Sequence, residues 1–451
     1  MTTRIFLAST LYGTATLAAA IDAGAFAPVD RTILLLSNNA ANPETTPGPD
    51  AMAGFARLRS RFGEVRHWNE AVFPFHPGSW KPSPDDIPLW ERYLRLLWRL
   101  GDDEVELVAE SVQVVPALAV TAIFTGARID VYADGLMSYG PTRIRLDPLI
   151  GTRISRLLHL DLVPGLRPLL LTEFGVEQEL VPTAAFLSVL DEIGADAPEL
   201  PEEVARAAER PALLLGQYLS ALGILTADEE EELHATMVRG AVRLGHAHLL
   251  FKPHPTAPAR FSRRLEEEAR RLGVALTVLD VPVLAEVLYQ RLRPALVVGC
   301  FSTALLTAAS CYGLPVARTG TELLLERLAP YENSNRVPVT VVDALLPDAA
   351  DRAAVEAQEL DVAAAGVQDL LVAVGFAMQP KIYPGLRGAA EAYLARHLDD
   401  RTRRYFKRRR LTALGLPGGV PQQLAFLPRT AAVRKVARRA RALKRRTAGP
   451  K

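Results

Sequence analysis

Polar motifs follow three hydrophobic segments of this chain at the points where strands are expected to end. The motifs are Asp134-Gly135 after residues 129–132, Lys252 to Pro255 after residues 248–251, and Ser302-Thr303 after residues 295–299. Open α/β sheets bind their ligands at the carboxyl ends of their strands. An acid, a histidine and a hydroxyl pair at such positions, in two halves of one chain, indicate a transferase cleft.

His254 is held between Pro253 and Pro255. Each proline fixes its own φ and restricts the residue before it, so the imidazole is held in one place. A ring held in this way can donate a hydrogen bond to a phosphate or to a leaving oxygen, and Lys252 adds positive charge nearby. The simpler interpretation, a structural strand end with a capped imidazole, stays open.

Ser302 and Thr303 stand where a predicted strand gives way to a helix. The free N–H groups and the dipole of a helix N-terminus favour an anion, and the two hydroxyls add donors for phosphate oxygens. An ordinary serine N-cap has the same sequence pattern. Asp134 could accept a proton from a sugar hydroxyl, although an Asp-Gly turn is the common alternative.

Strand-like and helix-like segments alternate along most of the chain. In the first half, strands are predicted at residues 5–8, 32–36, 64–68, 105–109, 129–132 and 168–171. A second alternating block begins at residue 212, and its first helix opens with a capping box formed by Thr226 and Glu229. Alternation of this kind predicts parallel sheets covered by helices, and hence an α/β fold with two Rossmann-like halves.

The predicted organisation has four parts. Residues 1–195 form an N-terminal, acceptor-side Rossmann-like domain, and residues 196–210 form a linker that contains many Ala, Glu and Pro residues. Residues 211–387 form a Rossmann-like domain for a nucleotide sugar, and residues 388–451 form a basic helical tail with helices predicted over residues 388–410 and 429–446. A length of 451 residues is too great for one ordinary domain and agrees with this division.

Charge is distributed unevenly over the chain, although its formal net charge is only +1. Residues 401–451 hold 17 basic side chains and no acidic one, so the first 400 residues carry a balance of −16. A cationic helix with an apolar face suits an anionic membrane surface. The scarcity of aromatic residues in this tail argues against binding of single-stranded nucleic acid. A disordered, solvated tail is the alternative.

The remaining composition argues for an internal compartment. Cys300 and Cys311, the only two cysteines, give neither a disulfide framework nor a zinc site, and buried free thiols suit a reducing environment. No segment reaches the roughly 18 apolar residues of a membrane span. The first 25 residues predict a strand, a turn and a helix, because polar residues interrupt a short apolar run that a signal peptide would need.

The order of these motifs resembles that of bacterial sialyltransferases, and most closely that of the bacterial α-2,8-polysialyltransferase family. The resemblance runs over residues 4–320 and is carried by residues 7–13 (LASTLYG), 131–135 (VYADG), 214–217 (LLGQ), 251–255 (FKPHP) and 299–305 (GCFSTAL). The basic tail lies outside it. This chain has Ala133 where the family motif usually has a first acidic residue.

The resemblance implies a GT-B fold, in which two Rossmann-like domains face a cleft, and a transfer that inverts the anomeric carbon without a metal. Asp134 would be the general base on the acceptor hydroxyl. His254 would contact the phosphate of a CMP-activated sugar and assist its departure. The full donor-binding set would be Gln217, Lys252, His254, Ser302 and Thr303, and the expected acceptor-side residues are Ser9, Thr10, Tyr12 and Gly135.

These observations predict a glycosyltransferase that moves sialic acid or a related ulosonic acid from a CMP-sugar to a surface glycan or glycolipid, with no cofactor. We expect it in capsule or surface polysaccharide biosynthesis, in the cytoplasm, peripheral to the inner face of the plasma membrane through residues 401–451. Two alternatives stay open. One is a glycosyltransferase that uses a UDP- or GDP-sugar, and the other is a non-catalytic, membrane-associated scaffold that binds nucleotide.

Overall fold

The computed structural model describes residues 1–200, 204, 210–254, 261–279, 281–360 and 365–420. The strands of this part of the chain form two sheets, and every pairing in them is parallel. The first sheet contains β1 (Thr2–Ala8), β2 (Arg31–Leu36), β3 (Glu64–His67), β4 (Glu104–Glu110), β5 (Arg128–Ala133), β6 (Ile154–Leu160) and β7 (Glu177–Val181). The second sheet contains β8 (Ala212–Leu215), β9 (His248–Lys252), β10 (Ala275–Val278), β11 (Leu296–Gly299) and β12 (Val316–Arg318).

Both sheets have the doubly wound strand order of a Rossmann-like fold. The first runs β3-β2-β1-β4-β5-β6-β7, and the second runs β10-β9-β8-β11-β12. In each sheet the order of the strands reverses beside the first strand, which leaves a crevice between β1 and β4 and another between β8 and β11. The predicted α/β fold with two Rossmann-like halves is confirmed.

Helices cover the sheets and extend beyond the second one. Those of the first half are Leu11–Asp22, Phe55–Arg59, Trp68–Val72, Ile87–Leu97, Ala117–Ile123, Pro148–Gly151 and Thr183–Ala195. Those of the second half are Ala227–Arg243, Phe261–Leu272, Ala285–Leu292, Thr303–Ser310, Thr321–Arg327, Arg336–Leu345 and Arg352–Glu356, and the C-terminal ones are Val367–Met378, Arg387–His397 and Arg408–Leu414. Short 3₁₀ turns lie at Pro49–Ala51, Pro84–Asp86, Leu136–Tyr139, Thr172–Phe174, Pro384–Leu386 and Thr402–Tyr405.

The first sheet is buried on both faces, as its continuous apolar strands predict. Side chains alternate along β1, so Ile5 and Leu7 join the core cluster that contains Trp68. Phe6 and Ala8 join the larger cluster, which includes helix Leu11–Asp22 and continues into the second half. The predicted capping box is confirmed, because Thr226 Oγ1 accepts from Glu229 N and Thr226 N donates to the Glu229 carboxylate.

The strand predicted at residues 168–171 is wrong. The backbone N–H groups of Leu170 and Leu171 donate to Ser138 O and Thr142 Oγ1, at 3.2 and 3.1 Å, and not to a neighbouring strand. Leu171 also has a φ of 63°, which a strand does not contain. The segment is apolar because it is buried beneath the loop around residues 138–142, and the sheet is extended by β6 and β7, which the sequence analysis missed.

The first part of the basic tail is bound into the fold. The helix expected over residues 388–410 ends at His397, because the Asp399 carboxylate accepts from the N–H groups of Arg401 and Thr402, each at 2.8 Å, and starts a new turn. Arg404 pairs with Glu322 at 2.6 Å, and Arg410 pairs with Glu332 at 2.7 Å. Residues 421–451, including the helix predicted at residues 429–446, lie outside the described residues.

The C-terminal helices pack against the first half of the chain. The amide of Gln379 donates to Arg143 O at 2.7 Å, and Tyr383 Oη accepts from Thr142 N at 3.0 Å. The same Tyr383 hydroxyl lies 2.5 Å from the Glu173 carboxylate. The chain therefore passes from the first sheet to the second near residues 196–210 and returns between Glu356 and Val367. The four domain limits given above stay a prediction.

Candidate active site

A cavity of about 390 Å³ lies where the carboxyl ends of the two sheets face each other. Residues from both halves line it, among them Glu110, Tyr132, Asp134, Gly135 and Arg143 from the first half and Gln217, Tyr218, His254, Ser302 and Thr303 from the second. The two halves also touch at this point, because Leu136 N donates to Thr303 Oγ1 at 3.4 Å. The structure thus brings the three sequence motifs together in one crevice between two sheets, the GT-B arrangement.

The crevice of the first sheet is closed by a hydrogen-bonded pair. Ser9 follows β1 and Glu110 ends β4, so the reversal of strand order places them side by side. The backbone N–H and the hydroxyl of Ser9 both donate to Glu110 Oε2, at 2.9 and 2.6 Å. Ser9 itself does not line the cavity, whereas Glu110 does.

Asp134 has the surroundings of a base that works near neutral pH. Burial raises the pKa of its carboxyl group to about 7 from 3.8, and the neighbouring charge of Glu110 contributes to the same increase. A carboxyl group with such a pKa can take up a proton and release it again under physiological conditions. Its position at the end of β5 and its lining of the cavity meet the geometric requirement for contact with a bound hydroxyl.

Gly13 leaves room for this carboxylate. A Cβ at position 13 would lie 2.9 Å from Tyr132 Oη and 3.3 Å from Asp134 Oδ2. Tyr132 cannot easily move away, because its hydroxyl donates to Leu7 O at 3.0 Å inside the core. The glycine in the segment at residues 7–13 is therefore needed for close packing of helix Leu11–Asp22 against the end of β5.

The second sheet contributes the N-terminus of helix Thr303–Ser310. Ser302 is its N-cap, and Ser302 Oγ accepts from Ala304 N at 3.3 Å. Thr303 begins the helix and makes the contact with Leu136 described above. The N-cap interpretation of Ser302 is thus correct, and it is compatible with anion binding because the same helix end lies at the cavity.

His254 lies against Tyr218, with the two ring centres 4.0 Å apart. Burial and, to a smaller extent, the positive charge of Lys252 together lower the pKa of the imidazole to about 4. The ring is therefore neutral at pH 7 and keeps one N–H that can be donated. Gln217 lies at the crevice between β8 and β11, where its side-chain oxygen accepts from Phe301 N at 3.3 Å.

Lys252 does not line the cavity but lies buried at the end of β9. Burial lowers the pKa of its amine, and the neighbouring Glu286 opposes this shift. Burial also raises the pKa of Glu286, whose Oε1 accepts from the Thr307 hydroxyl at 2.9 Å. Lys252 therefore lowers the pKa of His254 through its charge, although its own side chain does not line the cavity.

Thr10 and Tyr12, like Ser9, lie outside the cavity lining. Thr10 caps helix Leu11–Asp22 and accepts from Gly13 N at 2.8 Å. The Tyr12 ring packs edge-on against Phe186, with the ring centres 5.2 Å apart, and its buried hydroxyl makes no hydrogen bond within the described residues. Of the four expected acceptor-side residues, only Gly135 lines the cavity.

Sequence reasoning missed Glu110, Tyr218 and Arg143. Glu110 directly follows a predicted strand, so it could have been proposed as a site residue from its position. Its proximity to Asp134 could not, because that depends on the order of the strands in the sheet. Arg143 lines the cavity on the first-half side, where its backbone N–H donates to Gln113 Oε1 at 2.5 Å. Burial lowers the pKa of its guanidinium group.

Two features are absent from the described residues. No group of three or more His, Cys, Asp or Glu side chains with a geometry suited to a metal ion occurs among them. No helix among them is long and apolar enough to span a membrane.

The chain is similar to several solved structures at low sequence identity. A sialyltransferase from Photobacterium damselae, limited to its GT-B domain, is 11% identical with a TM-score of 0.39, over 76% of this chain and 96% of that one. MurG from Acinetobacter baumannii is 11% identical with a TM-score of 0.38, over 77% and 86%. These identities and scores are too low for an inference about substrate. No curated protein sequence matches the chain.

A protein-family comparison covers most of the chain. The family model described as alpha-2,8-polysialyltransferase matches residues 4–321. The matched region contains both sheets, except for the first two residues of β1, and every cavity-lining residue named above. The chain therefore belongs to the alpha-2,8-polysialyltransferase family and is a glycosyltransferase.

Proposed function

We propose that this protein transfers sialic acid or a related ulosonic acid from a CMP-sugar to a hydroxyl of a surface glycan or glycolipid, with inversion and without a metal. The observation that carries the proposal is that one cavity is lined by Asp134 from the first half and by His254, Ser302 and Thr303 from the second. This is the arrangement that a base on one substrate and a phosphate site on the other require.

In this mechanism Asp134 accepts the proton of the acceptor hydroxyl as the oxygen attacks the anomeric carbon. The bond from that carbon to the phosphate oxygen breaks, and CMP leaves with the electron pair. The neutral imidazole of His254 donates a hydrogen bond to the phosphate. Ser302, Thr303 and the helix that they begin stabilise the charge that grows on it, because such donors act most strongly where charge develops.

The choice of nucleotide is tested by thermal unfolding of the purified protein with CMP, UDP or GDP. We expect CMP to raise the melting temperature more than the other two, since a ligand that binds only the folded state stabilises it. A larger shift with UDP or GDP would assign the donor to another class. Release of CMP from a CMP-sugar, in the presence and absence of a chelator, then tests the reaction and its proposed independence of metal.

We also propose that the basic tail holds the enzyme at the inner face of the membrane. Among the seven cations of residues 401–410, Arg404 and Arg410 form ion pairs within the fold, and Lys407 donates to Leu328 O at 2.8 Å. The contribution to the membrane would therefore come mainly from residues 421–451. A chain that ends at residue 420 should lose binding to anionic vesicles and keep transfer to a soluble acceptor.

Gly13→Ala tests whether the packing behind Asp134 matters for the reaction. The new methyl group must displace Tyr132 or the Asp134 carboxylate, so we expect kcat/KM to fall roughly 10- to 100-fold, since small misplacements of reacting groups are costly. Gly126→Ala is the control, because a Cβ there meets no atom within 4 Å. Equal kinetics of the two variants would contradict the assignment.

A further inference from the structure

We propose that Glu110 is a positioning residue for Asp134, and that its negative charge sets the pH range in which Asp134 can act as the base. This inference rests on the proposed function for its catalytic meaning. The coupling between the two carboxyl groups can, however, be measured without any substrate.

The strand ladder places the two carboxyl groups on the same face of the sheet. Glu110 is the ladder partner of Tyr132, and Asp134 follows Tyr132 by two residues. Side chains two apart on a strand point to the same face, so Glu110, Tyr132 and Asp134 form one row at the carboxyl edge. All three line the cavity.

Glu110 is fixed in this row by its hydrogen bonds. Ser9 holds its Oε2 with two donors, at 2.9 and 2.6 Å. A carboxylate that accepts two such bonds is stabilised in its charged form, and these bonds oppose the increase that burial causes in the pKa of Glu110. For Asp134, its own backbone N–H opposes the increase in pKa only weakly, so burial and the Glu110 charge prevail and raise the pKa of the Asp134 carboxyl group to about 7.

The other groups around Asp134 do not offset the negative charge. Tyr132 and Tyr12 are the ionisable neighbours on β5 and on helix Leu11–Asp22, and both stay neutral because burial and nearby carboxylates raise the pKa of their hydroxyls. Across the cavity, Thr303 is uncharged and His254 is neutral at pH 7. Arg143 also lines the cavity, but among the described residues it forms no ion pair with Asp134 or Glu110.

The test compares pH profiles of kcat/KM for the wild type and Glu110→Gln. Glutamine can still accept from Ser9 but carries no charge. Because the pKa of Asp134 is about 7, the wild type should retain about one-tenth of its plateau at pH 6. Glu110→Gln should retain several times more of its own plateau at pH 6. Glu110→Asp should restore the wild-type profile.

Glu104→Gln is the matched control, since Glu104 is exposed at the other end of β4 and should leave the profile unchanged. If the acidic limb of the kcat/KM profile has the same pH midpoint in Glu110→Gln as in the wild type, the proposal is wrong. A purely structural role for Glu110 predicts that result, because it would alter the height of the profile and not its position.

Thermal unfolding without substrate gives the second readout. The folded state holds the Asp134 proton more tightly than the unfolded state, so this group makes the wild type lose stability as pH rises from about 4 to about 7. Removal of the Glu110 charge should reduce that loss, and the melting temperature of Glu110→Gln relative to the wild type should increase between pH 5 and pH 8.

A pH-independent difference between the two melting temperatures would overturn the coupling, whether or not transfer is detected. If the difference increases with pH, the increase is smaller when the same pair is compared in an Asp134→Asn background, and no CMP-sugar is turned over, the coupling of the two carboxyl groups is supported and the proposed function fails. The two failures are thus distinguished by one set of proteins.

Discussion

Asp134→Asn is expected to lower the rate of transfer roughly 10²- to 10⁴-fold, the usual contribution of a positioned general base. Asparagine has nearly the same shape as aspartate, but it cannot accept the proton of the acceptor hydroxyl. The proposed donor site lies on the other sheet, so the affinity for CMP should stay within about twofold, a change of roughly 0.4 kcal/mol. The measurements are kcat/KM with a CMP-sugar and calorimetric binding of CMP.

Asp102→Asn is the control for this variant, because Asp102 is exposed in the turn before β4 and should behave as the wild type does. Asp134→Asn with unchanged turnover would rule out Asp134 as the base and would favour a scaffold that only binds nucleotide. A parallel loss of CMP affinity and turnover would place Asp134 on the donor side of the cavity instead.

His254→Ala is expected to lower kcat roughly 10²- to 10³-fold, which is the typical effect of removing one donor to a developing negative charge. Without a phosphate nearby, burial and Lys252 keep the imidazole neutral at pH 7. A bound phosphate favours the charged form of a neighbouring histidine, so CMP should raise the pKa of His254 from about 4 toward its ordinary value. NMR titration of the ring protons, with and without CMP, measures this shift directly.

His248→Ala serves as the control, since His248 is exposed at the opposite end of β9. Its ring resonances should not respond to CMP, and its removal should leave kcat unchanged. If the pKa of His254 does not respond to CMP, the phosphate lies elsewhere, and the pairing of His254 with Ser302 and Thr303 as one phosphate site is incorrect.

The sequence was most informative where a continuous apolar strand ended in a polar motif. β5, β9 and β11 were all predicted, and the motifs that follow them meet in one cavity. The pattern works because parallel strands that are buried on both faces read as uninterrupted apolar segments. β6 was missed for the converse reason, since Arg156 and His159 interrupt its sequence.

The second carboxyl group at the site could not be found from local sequence. Glu110 and Asp134 follow two different predicted strands that are separated by a helix. Their proximity therefore depends on which strands are neighbours in the sheet. The acceptor-side residues stay a prediction. Thr10 and Tyr12 follow β1, but Thr10 caps helix Leu11–Asp22 and the Tyr12 ring packs against Phe186 instead of lining the cavity.

The return of the C-terminal helices to the first half has a mechanical consequence. Because two separate stretches of backbone join the halves, neither half can twist freely about a single flexible joint. The C-terminal contacts with the first half therefore restrict the relative motion of the halves. Gln379 and Tyr383 hydrogen-bond to the backbone of Arg143 and Thr142, so a motion that opens the cavity must either break these bonds or move this segment together with the C-terminal helices.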